Sequence, residues 1–338
     1  MRVGVDGRSL AGDARGVARY TAGMVAALAA EGVDVRVLVP AGTAVPAGVE
    51  AVGHRMPGRL LHLGGAVTGR PRLARRLGPV DIVWLPAPAP GAVGARYVLT
   101  LHDLSFLERP GDFTAYERLW HRLARPRTLA RRAARVVAVS ADTAQRVRAR
   151  FGVQATVVPA GPGDPGPRTE PDTRFGRYFL FVGALEPRKG LDTLVAAHSG
   201  LEPALVLVGE GRLAARLRSA GAHVLGRVSR AEKAALYAGA LAVVLPSWCE
   251  GYGYPPLEAY AHGTPAIVSD LPALRETAGA GACYVPPGDV AALRTAMTEL
   301  ADDAALRDRL GAAAADVVVP SWETCGRGLK AVLEAAAA

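Results

Sequence analysis

The 338-residue sequence has few cysteines and no long uncharged apolar run. Cys249, Cys283 and Cys325 are far apart and never form a CxxC pair, which argues against a disulfide framework or a zinc site. No apolar stretch reaches the roughly 18 residues that a membrane-spanning helix needs. The start, MRVGVDGRSL, lacks the apolar core and cleavage site of a signal peptide. We therefore expect a cytoplasmic protein.

Acidic residues are scarce in the first half of the chain. Residues 1–160 hold 23 Lys and Arg against 11 Asp and Glu, whereas residues 161–338 hold 17 against 20. A basic half favours a nucleic acid, an anionic membrane surface or a negatively charged substrate as partner. Only three of the basic residues are lysines, and an arginine excess also arises from coding bias, so the charge carries reduced weight.

Short apolar stretches alternate with segments of helical periodicity before residue 160. Helices are predicted over Val17–Ala30 and Tyr116–Ala134. This alternation predicts an α/β fold with a parallel sheet covered by helices. The predicted strands are Val3–Val5, Val35–Val39, Ile82–Leu85, Val98–Leu101 and Val136–Val139.

Residues 160–176, AGPGDPGPRTEPDTRFG, replace apolar periodicity with proline, glycine and charge, and predict an interdomain linker. The alternation then resumes with helices starting near Leu191, Arg212, Arg230, Pro256, Pro272 and Val290. The predicted strands are Tyr178–Val182, Ala204–Val208, His223–Leu225, Ala242–Leu245, Ala266–Val268 and Ala282–Val285. We therefore predict two doubly wound, Rossmann-like domains, 1–165 and 166–320, with helix 321–338 returning to the first. Ligands of such sheets bind at the carboxyl ends of the strands, so we expect a central cleft between the domains.

The segment PSWCEGYGYPPLEAYAHGTP, residues 246–265, places two glutamates eight positions apart. Glu250 falls in a loop after a strand, and the double proline that precedes Glu258 suits the first turn of a helix. We predict that Glu258 lies in that turn and that both carboxylates face one crevice, where they can accept the paired hydroxyls of a ribose and a hexose. The alternative is a capping acid beside an unrelated surface acid.

Two other strand ends carry polar side chains. Arg188 and Lys189, in GALEPRKGLDTL, stand just before a predicted helix and fit a diphosphate, or else form a solvated basic pair. His102, in TLHDLSF, can bond a sugar hydroxyl or shuttle a proton, or else is structural, with Asp103 as a cap. Gly16, in GDARGVARY, opens a helix whose amide can reach a phosphate.

These segments together resemble retaining glycosyltransferases of the GT-B fold, family 4 (group 1). Glu250 and Glu258 match that family's E-x7-E motif, and further similar blocks occur in the expected order over essentially the whole chain. The LEPRK form is similar to bacterial mannosyltransferases, which favours GDP-mannose as donor. The blocks are GVDGRSLAGDARGVARY, VLTLHDLSFLERP, VVAVSADTA, VGALEPRKGLDTL, LVGEG and LGRVSRAEKAALYAGA.

The resemblance implies transfer of a hexose from a nucleotide diphosphate with retention of configuration. Glu258 would hold the ribose, Glu250 the transferred sugar, and Lys189 with Arg188 the diphosphate. His102 would contact the donor sugar. Many members carry a basic residue for the diphosphate at the position of Ala184, and Arg188 would take over that contact here. The implied catalytic residues are His102, Arg188, Lys189 and Glu250. The implied donor-binding residues are Gly16, Gly183, Glu210, Arg227, Val228, Tyr252, Gly253, Tyr254 and Glu258.

No Asp-x-Asp motif is present, so we expect no metal and no cofactor beyond the nucleotide-sugar donor. No acid is placed as a nucleophile, and we expect a front-face substitution in which the departing phosphate takes the acceptor's proton. The acceptor, a saccharide, a lipid-linked sugar or a natural product, is expected on the first domain.

The arginine-rich segment His121–Arg135 could contact that acceptor, or it could contact an anionic membrane, in which case the protein would be membrane-peripheral. The alternative is a solvated helix face. A UDP- or dTDP-sugar donor, a sugar-nucleotide epimerase and a phosphorylase remain as alternatives. The chain has no known nucleic-acid reading motif, so we expect no nucleic-acid partner. The match of VGEGRLA to a dinucleotide fingerprint is weak, because no acidic residue follows near Gly226.

Overall fold

A computed structural model describes residues 1–11, 16–55, 64, 68 and 72–338. The chain divides into two compact units, which we call unit 1 (Met1–Gly161 with Pro320–Ala338) and unit 2 (Pro162–Val319). The division falls inside the proline- and glycine-rich segment 160–176, a few residues before the position expected from the sequence. No helix in the described ranges is long and apolar enough to cross a membrane.

Unit 1 contains a parallel sheet of seven strands within its described residues, in the order β3-β2-β1-β4-β5-β6-β7. The five strands predicted from apolar runs are present, and β4 and β5 are buried at every position because helices cover both faces. The strands are β1 (Arg2–Asp6), β2 (Asp34–Pro40), β3 (Glu50–His54), β4 (Ile82–Leu85), β5 (Tyr97–Leu101), β6 (Arg135–Ala138) and β7 (Thr156–Val157).

The two edge strands, β3 and β7, were not predicted. β3 is largely exposed with the sequence EAVGH, and β7 has only two residues, both exposed. Neither carries the continuous apolar run that marks a strand buried on both faces.

The described helices before residue 160 are α1 (Gly16–Ala30), α2 (Leu73–Leu77), α3 (Ser105–Glu108), α4 (Ala115–Ala124), α5 (Pro126–Arg132) and α6 (Ala141–Phe151).

The prediction of a single helix over Tyr116–Ala134 is wrong, because α4 ends at Ala124, α5 begins at Pro126, and Arg125 separates them. Arg125 adopts the left-handed conformation, with φ 46° and ψ 58°, and Pro126 is the first residue of α5. Proline lacks an N–H and its ring disfavours the helical conformation of the preceding residue, so a continuous helix cannot pass this point.

Unit 2, all of whose residues are described, contains a parallel sheet of six strands in the order β10-β9-β8-β11-β12-β13. Each predicted strand is present, with bounds that differ by at most one residue, and the doubly wound α/β fold is confirmed. The strands are β8 (Tyr178–Val182), β9 (Ala204–Val208), β10 (His223–Gly226), β11 (Ala242–Leu245), β12 (Ala266–Ser269) and β13 (Ala282–Val285).

The strand order of unit 2 reverses between β8 and β11, so the loops that follow these two strands flank a topological switch point. This is where doubly wound sheets bind ligands. The helices of unit 2 are α7 (Leu191–His198), α8 (Ala214–Ser219), α9 (Arg230–Gly239), α10 (Tyr254–Tyr260), α11 (Pro272–Ala278), α12 (Val290–Asp302) and α13 (Ala304–Ala315).

The C-terminal helix α14 (Trp322–Ala337) belongs to unit 1 and packs against α1. Small residues allow the close approach, since an added Cβ on Gly326 would lie 2.5 Å from the Cβ of Ala27, and one on Gly23 would lie 2.6 Å from the ring of Trp322. The end of the chain is therefore part of the core of unit 1.

Candidate functional site

Two loops meet at the switch point of unit 2, one after β8 and one after β11. The backbone N–H of Trp248 donates to the carbonyl of Arg188 over 2.9 Å. Gly190 makes the approach feasible, because its φ is +67° and an added Cβ would lie 1.9 Å from the carbonyl oxygen of Pro246. The loop that carries the basic pair is thereby fixed beside the loop that carries Glu250.

Lys189 and Glu250 form an ion pair at this point, with side chains only 13% and 9% exposed. The Lys189 Nζ donates to Glu250 Oε1, which also accepts from the Ser247 hydroxyl over 2.7 Å. Glu250 Oε2 receives no hydrogen bond from the described residues, so one carboxylate oxygen is left for a ligand. Arg188 is half-buried and has no acidic partner within the described chain.

Glu258 lies apart from this pair in a buried network. The helix α10 begins at Tyr254, two residues earlier than expected, so Glu258 falls in its second turn and not in its first. Its side chain is almost fully buried. Glu258 Oε2 accepts from the Lys233 ammonium over 2.8 Å and from the Tyr237 hydroxyl over 2.9 Å. Lys233 and Tyr237, one turn apart on α9, were not identified from the sequence.

The segment 162–166 covers Glu258 from its other side. The Asp164 backbone N–H donates to Glu258 Oε1 over 3.0 Å, and an added Cβ on Gly163 would lie 2.9 Å from that oxygen. The Asp164 carbonyl accepts from Lys233, and its carboxylate accepts from Arg230 over 2.6 Å. In this arrangement Glu258 does not line an open crevice, and a ribose could reach it only after this segment moved.

Helix α10 begins with its backbone tightly held. Gly253 precedes the helix with φ +85°, and an added Cβ would lie 2.5 Å from Leu274 Cδ2, so the position needs glycine. The Tyr252 carbonyl accepts from the Thr277 hydroxyl over 2.7 Å, and the Tyr252 and Tyr254 rings meet at 5.4 Å. The first amides of α10 therefore have a fixed direction next to the Glu250 loop.

The remaining predicted donor-binding residues follow β8, β9 and β10. The Gly183 N–H donates to the Val208 carbonyl over 2.9 Å, so this amide is used by the sheet and not left for a phosphate. Arg227 Nε donates to Glu210 over 2.9 Å in a half-exposed pair. Val228 is half-buried against the core of unit 2. All four positions lie at the carboxyl edge of the sheet.

His102 lies in unit 1, directly after β5. Its Nε2 lies 2.9 Å from the Pro86 carbonyl, which requires a proton on Nε2, and its ring meets Tyr20 edge-on at 4.7 Å. Burial lowers the pKa of His102 below its usual value, against the opposing effects of the Pro86 carbonyl and the Asp103 charge. The imidazole is therefore neutral near pH 7.

Asp103 and Gly16 complete the predicted residues of unit 1. Asp103 accepts from the Ser105 backbone and hydroxyl at 2.8 and 2.6 Å, so it holds the start of α3. Gly16 is the exposed first residue of α1. The preceding residues Gly12 to Arg15 lie outside the described residues.

The chain thus consists of two Rossmann-like units, and the second carries a lysine and a carboxylate paired at its switch point, where doubly wound sheets bind ligands. Two family models match the chain. The model described as "Glycosyltransferase Family 4" matches residues 14–161, and the one described as "Glycosyl transferases group 1" matches residues 176–303. The chain therefore belongs to the family 4, group 1 glycosyltransferases.

Curated relatives include three bacterial enzymes. The O-antigen chain mannosyltransferase RfbU of Salmonella typhimurium is 34% identical over 36% of this chain and 38% of that protein. A phosphatidyl-myo-inositol mannosyltransferase of Mycobacterium leprae is 37% identical over 43% of this chain and 42% of that protein. A 2-deoxystreptamine N-acetyl-D-glucosaminyltransferase of Streptomyces fradiae is 32% identical over 68% of this chain and 64% of that protein. The chain thus spans less than half the length of these two mannosyltransferases.

Solved structures share the fold at low sequence identity. Sucrose-phosphate synthase of Thermosynechococcus elongatus superposes with a TM-score of 0.76 over 99% of this chain and 98% of that chain, at 18% identity. Anabaena HepE, solved in complex with UDP and glucose, superposes with a TM-score of 0.69 over 98% of this chain and 99% of that chain, at 17% identity. The fold is the GT-B fold, as the resemblance implied.

Proposed function

We propose that this protein transfers mannose from GDP-mannose, with retention of configuration, to a hydroxyl of a saccharide, lipid-linked or natural-product acceptor. The Lys189–Glu250 pair at the switch point of unit 2 carries the proposal, since it combines a cation for phosphate with a carboxylate for sugar hydroxyls. The names of the two mannosyltransferase relatives support mannose as the transferred sugar.

The basic pair handles the leaving diphosphate. Arg188, which has no acidic partner in the described chain, adds its charge to that of Lys189 beside the amides at the start of α7. Glu250 Oε2 accepts a hydroxyl of the transferred sugar while Lys189 and Ser247 hold Oε1. A preorganised charge of this kind contributes about 2.7 to 4 kcal/mol to the stabilisation of a transition state.

Glu258 binds the ribose of the donor. Its Oε1 accepts the Asp164 N–H in this structure, and a ribose hydroxyl replaces that donor when the segment 162–166 moves. Lys233 and Tyr237 keep Oε2 and fix the orientation of the carboxylate. Arg227, Val228 and Glu210, at the edge formed by β9 and β10, contact the base.

The transfer is a front-face substitution. The bond from the anomeric carbon to the diphosphate oxygen breaks, and a bond to the acceptor oxygen forms on the same face of the sugar. The acceptor proton passes to the departing phosphate oxygen, so no protein nucleophile is consumed. The neutral His102 contacts the donor sugar. No metal takes part in this proposal, because Arg188 and Lys189 supply the positive charge.

A UDP-linked donor is the second candidate. HepE was solved in complex with UDP-glucose, and the Streptomyces fradiae relative, matched over 68% of this chain, is named for N-acetyl-D-glucosaminyl transfer. The HepE complex supports uracil as the base, and the Streptomyces fradiae relative supports a different transferred sugar, whereas the chemistry at Lys189 and Glu250 stays the same.

Thermal-shift measurements with GDP, UDP, ADP and dTDP and their sugars test the donor, since selective binding raises Tm by mass action. We expect the largest shift with GDP-mannose. A larger shift with UDP-sugars would transfer the proposal to the second candidate, and no shift with any nucleotide would refute both. Activity that survives EDTA is expected, and strict dependence on Mg²⁺ or Mn²⁺ would refute the metal-free step. The anomeric configuration of the product, read by NMR, tests retention.

A further inference from the structure

Unit 1 contains a cavity of about 600 Å³ formed by residues from α3 to α6, a volume suited to a small ligand. Five arginines line it, and no acidic side chain does so within the described chain. The arginines are Arg118, Arg122, Arg125, Arg127 and Arg150. The residues proposed above to contact the donor belong to unit 2, apart from Gly16 and His102.

Most of these guanidinium groups are not neutralised by the protein. Arg118 donates to the Phe113 carbonyl over 2.6 Å. Arg122, Arg125, Arg127 and Arg150 have no ion pair with any described residue. All five arginines are exposed, and like charges around one cavity repel each other. An anion that enters the cavity removes this repulsion and accepts charge-assisted hydrogen bonds.

Aromatic rings form the apolar wall of the cavity. The His121 ring stacks on Phe106 at 4.9 Å and meets Phe113 edge-on at 5.4 Å. His121 Nδ1 is buried and has no hydrogen-bond partner in the described part of the chain. Burial lowers the pKa of His121, so this ring is neutral near pH 7 and adds no charge to the wall. The wall suits a ring or an alkyl chain attached to the anion.

The backbone at Arg125 is held in an unfavourable conformation at the same cavity. Arg125 is the only non-glycine residue with positive φ among those described, and it separates α4 from α5. A bulky residue in this region is strained, and such strain is concentrated at functional sites. Glycine would adopt this conformation without that strain.

We propose that this cavity binds a phosphate or diphosphate group that carries an apolar or ring substituent. Phosphate is the anion that best uses several guanidinium groups, because each can form two parallel hydrogen bonds to its oxygens. The phosphate comes either from a soluble phosphorylated molecule or from a lipid headgroup. The proposal goes beyond the transfer reaction and does not depend on the identity of the donor.

Calorimetric titration of the full chain with pyrophosphate tests the soluble source. Pyrophosphate also fits the basic pair of unit 2, so the variant Arg188→Gln/Lys189→Gln serves to isolate binding at the cavity. In that background, Arg122→Gln/Arg127→Gln is expected to weaken binding by about tenfold or more, because hydrogen bonds to charged groups are lost. The matched control Arg75→Gln/Arg76→Gln, with exposed arginines outside the cavity, is expected to stay within about twofold, since surface charges at a distance are screened.

Flotation with phosphatidylcholine vesicles, with and without phosphatidic acid, tests the lipid source. Binding that needs phosphatidic acid and is lost in Arg122→Gln/Arg127→Gln would assign the cavity to a lipid headgroup. Arg125→Gly separates binding from folding, because we expect its Tm to be equal or higher while its anion affinity falls. The proposal is overturned if neither probe binds, or if the control pair weakens binding as much as the cavity pair.

Discussion

Replacing Lys233 by methionine should destabilise unit 2 by more than an ordinary surface substitution. Lys233 and Glu258 are 10% and 2% exposed, and methionine keeps the volume but removes the charge. Removing one partner of a buried ion pair costs about 3 to 5 kcal/mol, because the remaining charge is left uncompensated. Tyr237 and the Asp164 amide still bond Glu258, which places the expected loss in the free energy of unfolding at the lower end, about 3 kcal/mol.

Hydrogen exchange of the β11 amides in native conditions measures this loss in unit 2 without requiring the two units to unfold together. Lys330→Met is the matched control. Lys330 lies on α14 of unit 1 and donates to the Glu31 carbonyl, so its removal should leave β11 unaffected. The double variant Lys233→Met/Glu258→Leu should recover most of the stability, since no unpaired charge remains. A change of less than about 1 kcal/mol in Lys233→Met, the range of exposed pairs, would refute the argument that this pair is buried.

Four further predictions concern the two units separately. Lys189→Met should lower kcat by about 10²- to 10³-fold, as initial rates measured well below the Tm of the variant would show, and an unchanged kcat contradicts its charge role. The same variant should also lower Tm in calorimetry, because the buried Glu250 carboxylate loses its charged partner. Gly190→Ala should cost at least about 1 kcal/mol in calorimetry, because its φ is positive and its Cβ would meet the Pro246 carbonyl; a neutral effect contradicts the close approach. Arg125→Gly should raise the free energy of unfolding by up to about 1 kcal/mol in urea titrations, and a loss would contradict the strain. His102 has a lower pKa folded than unfolded, so stability should fall as the pH drops below about 6.5, by up to about 1.4 kcal/mol per pH unit until its folded pKa is passed. His102→Gln should therefore reduce the slope of the free energy of unfolding against pH below about 6.5. A pH profile identical to that of the parent would contradict the lowered pKa of His102.

The sequence by itself determined the strands at the centre of both sheets and the order of the loops that follow them. Continuous apolar runs such as Ile82–Leu85 and Ala242–Leu245 mark strands buried on both faces. Glycine, proline and charge then mark the loop that carries Arg188 and Lys189 and the one that carries Glu250. These patterns lie within short stretches of sequence, so they can be recognised without knowing how distant parts of the chain pack.

Tertiary structure decided what the local patterns do not contain. The edge strand β3 forms by pairing with β2 and not through its own apolar content. Asp164 reaches Glu258 across 94 positions of the chain, and Lys233 is buried because that carboxylate lies opposite it. Four arginines of the cavity in unit 1 lie within residues 118–127, whereas Arg150 joins them only through the packing of α6. Periodicity gives the direction in which each side chain leaves its own element, whereas the partner it meets depends on how distant elements pack.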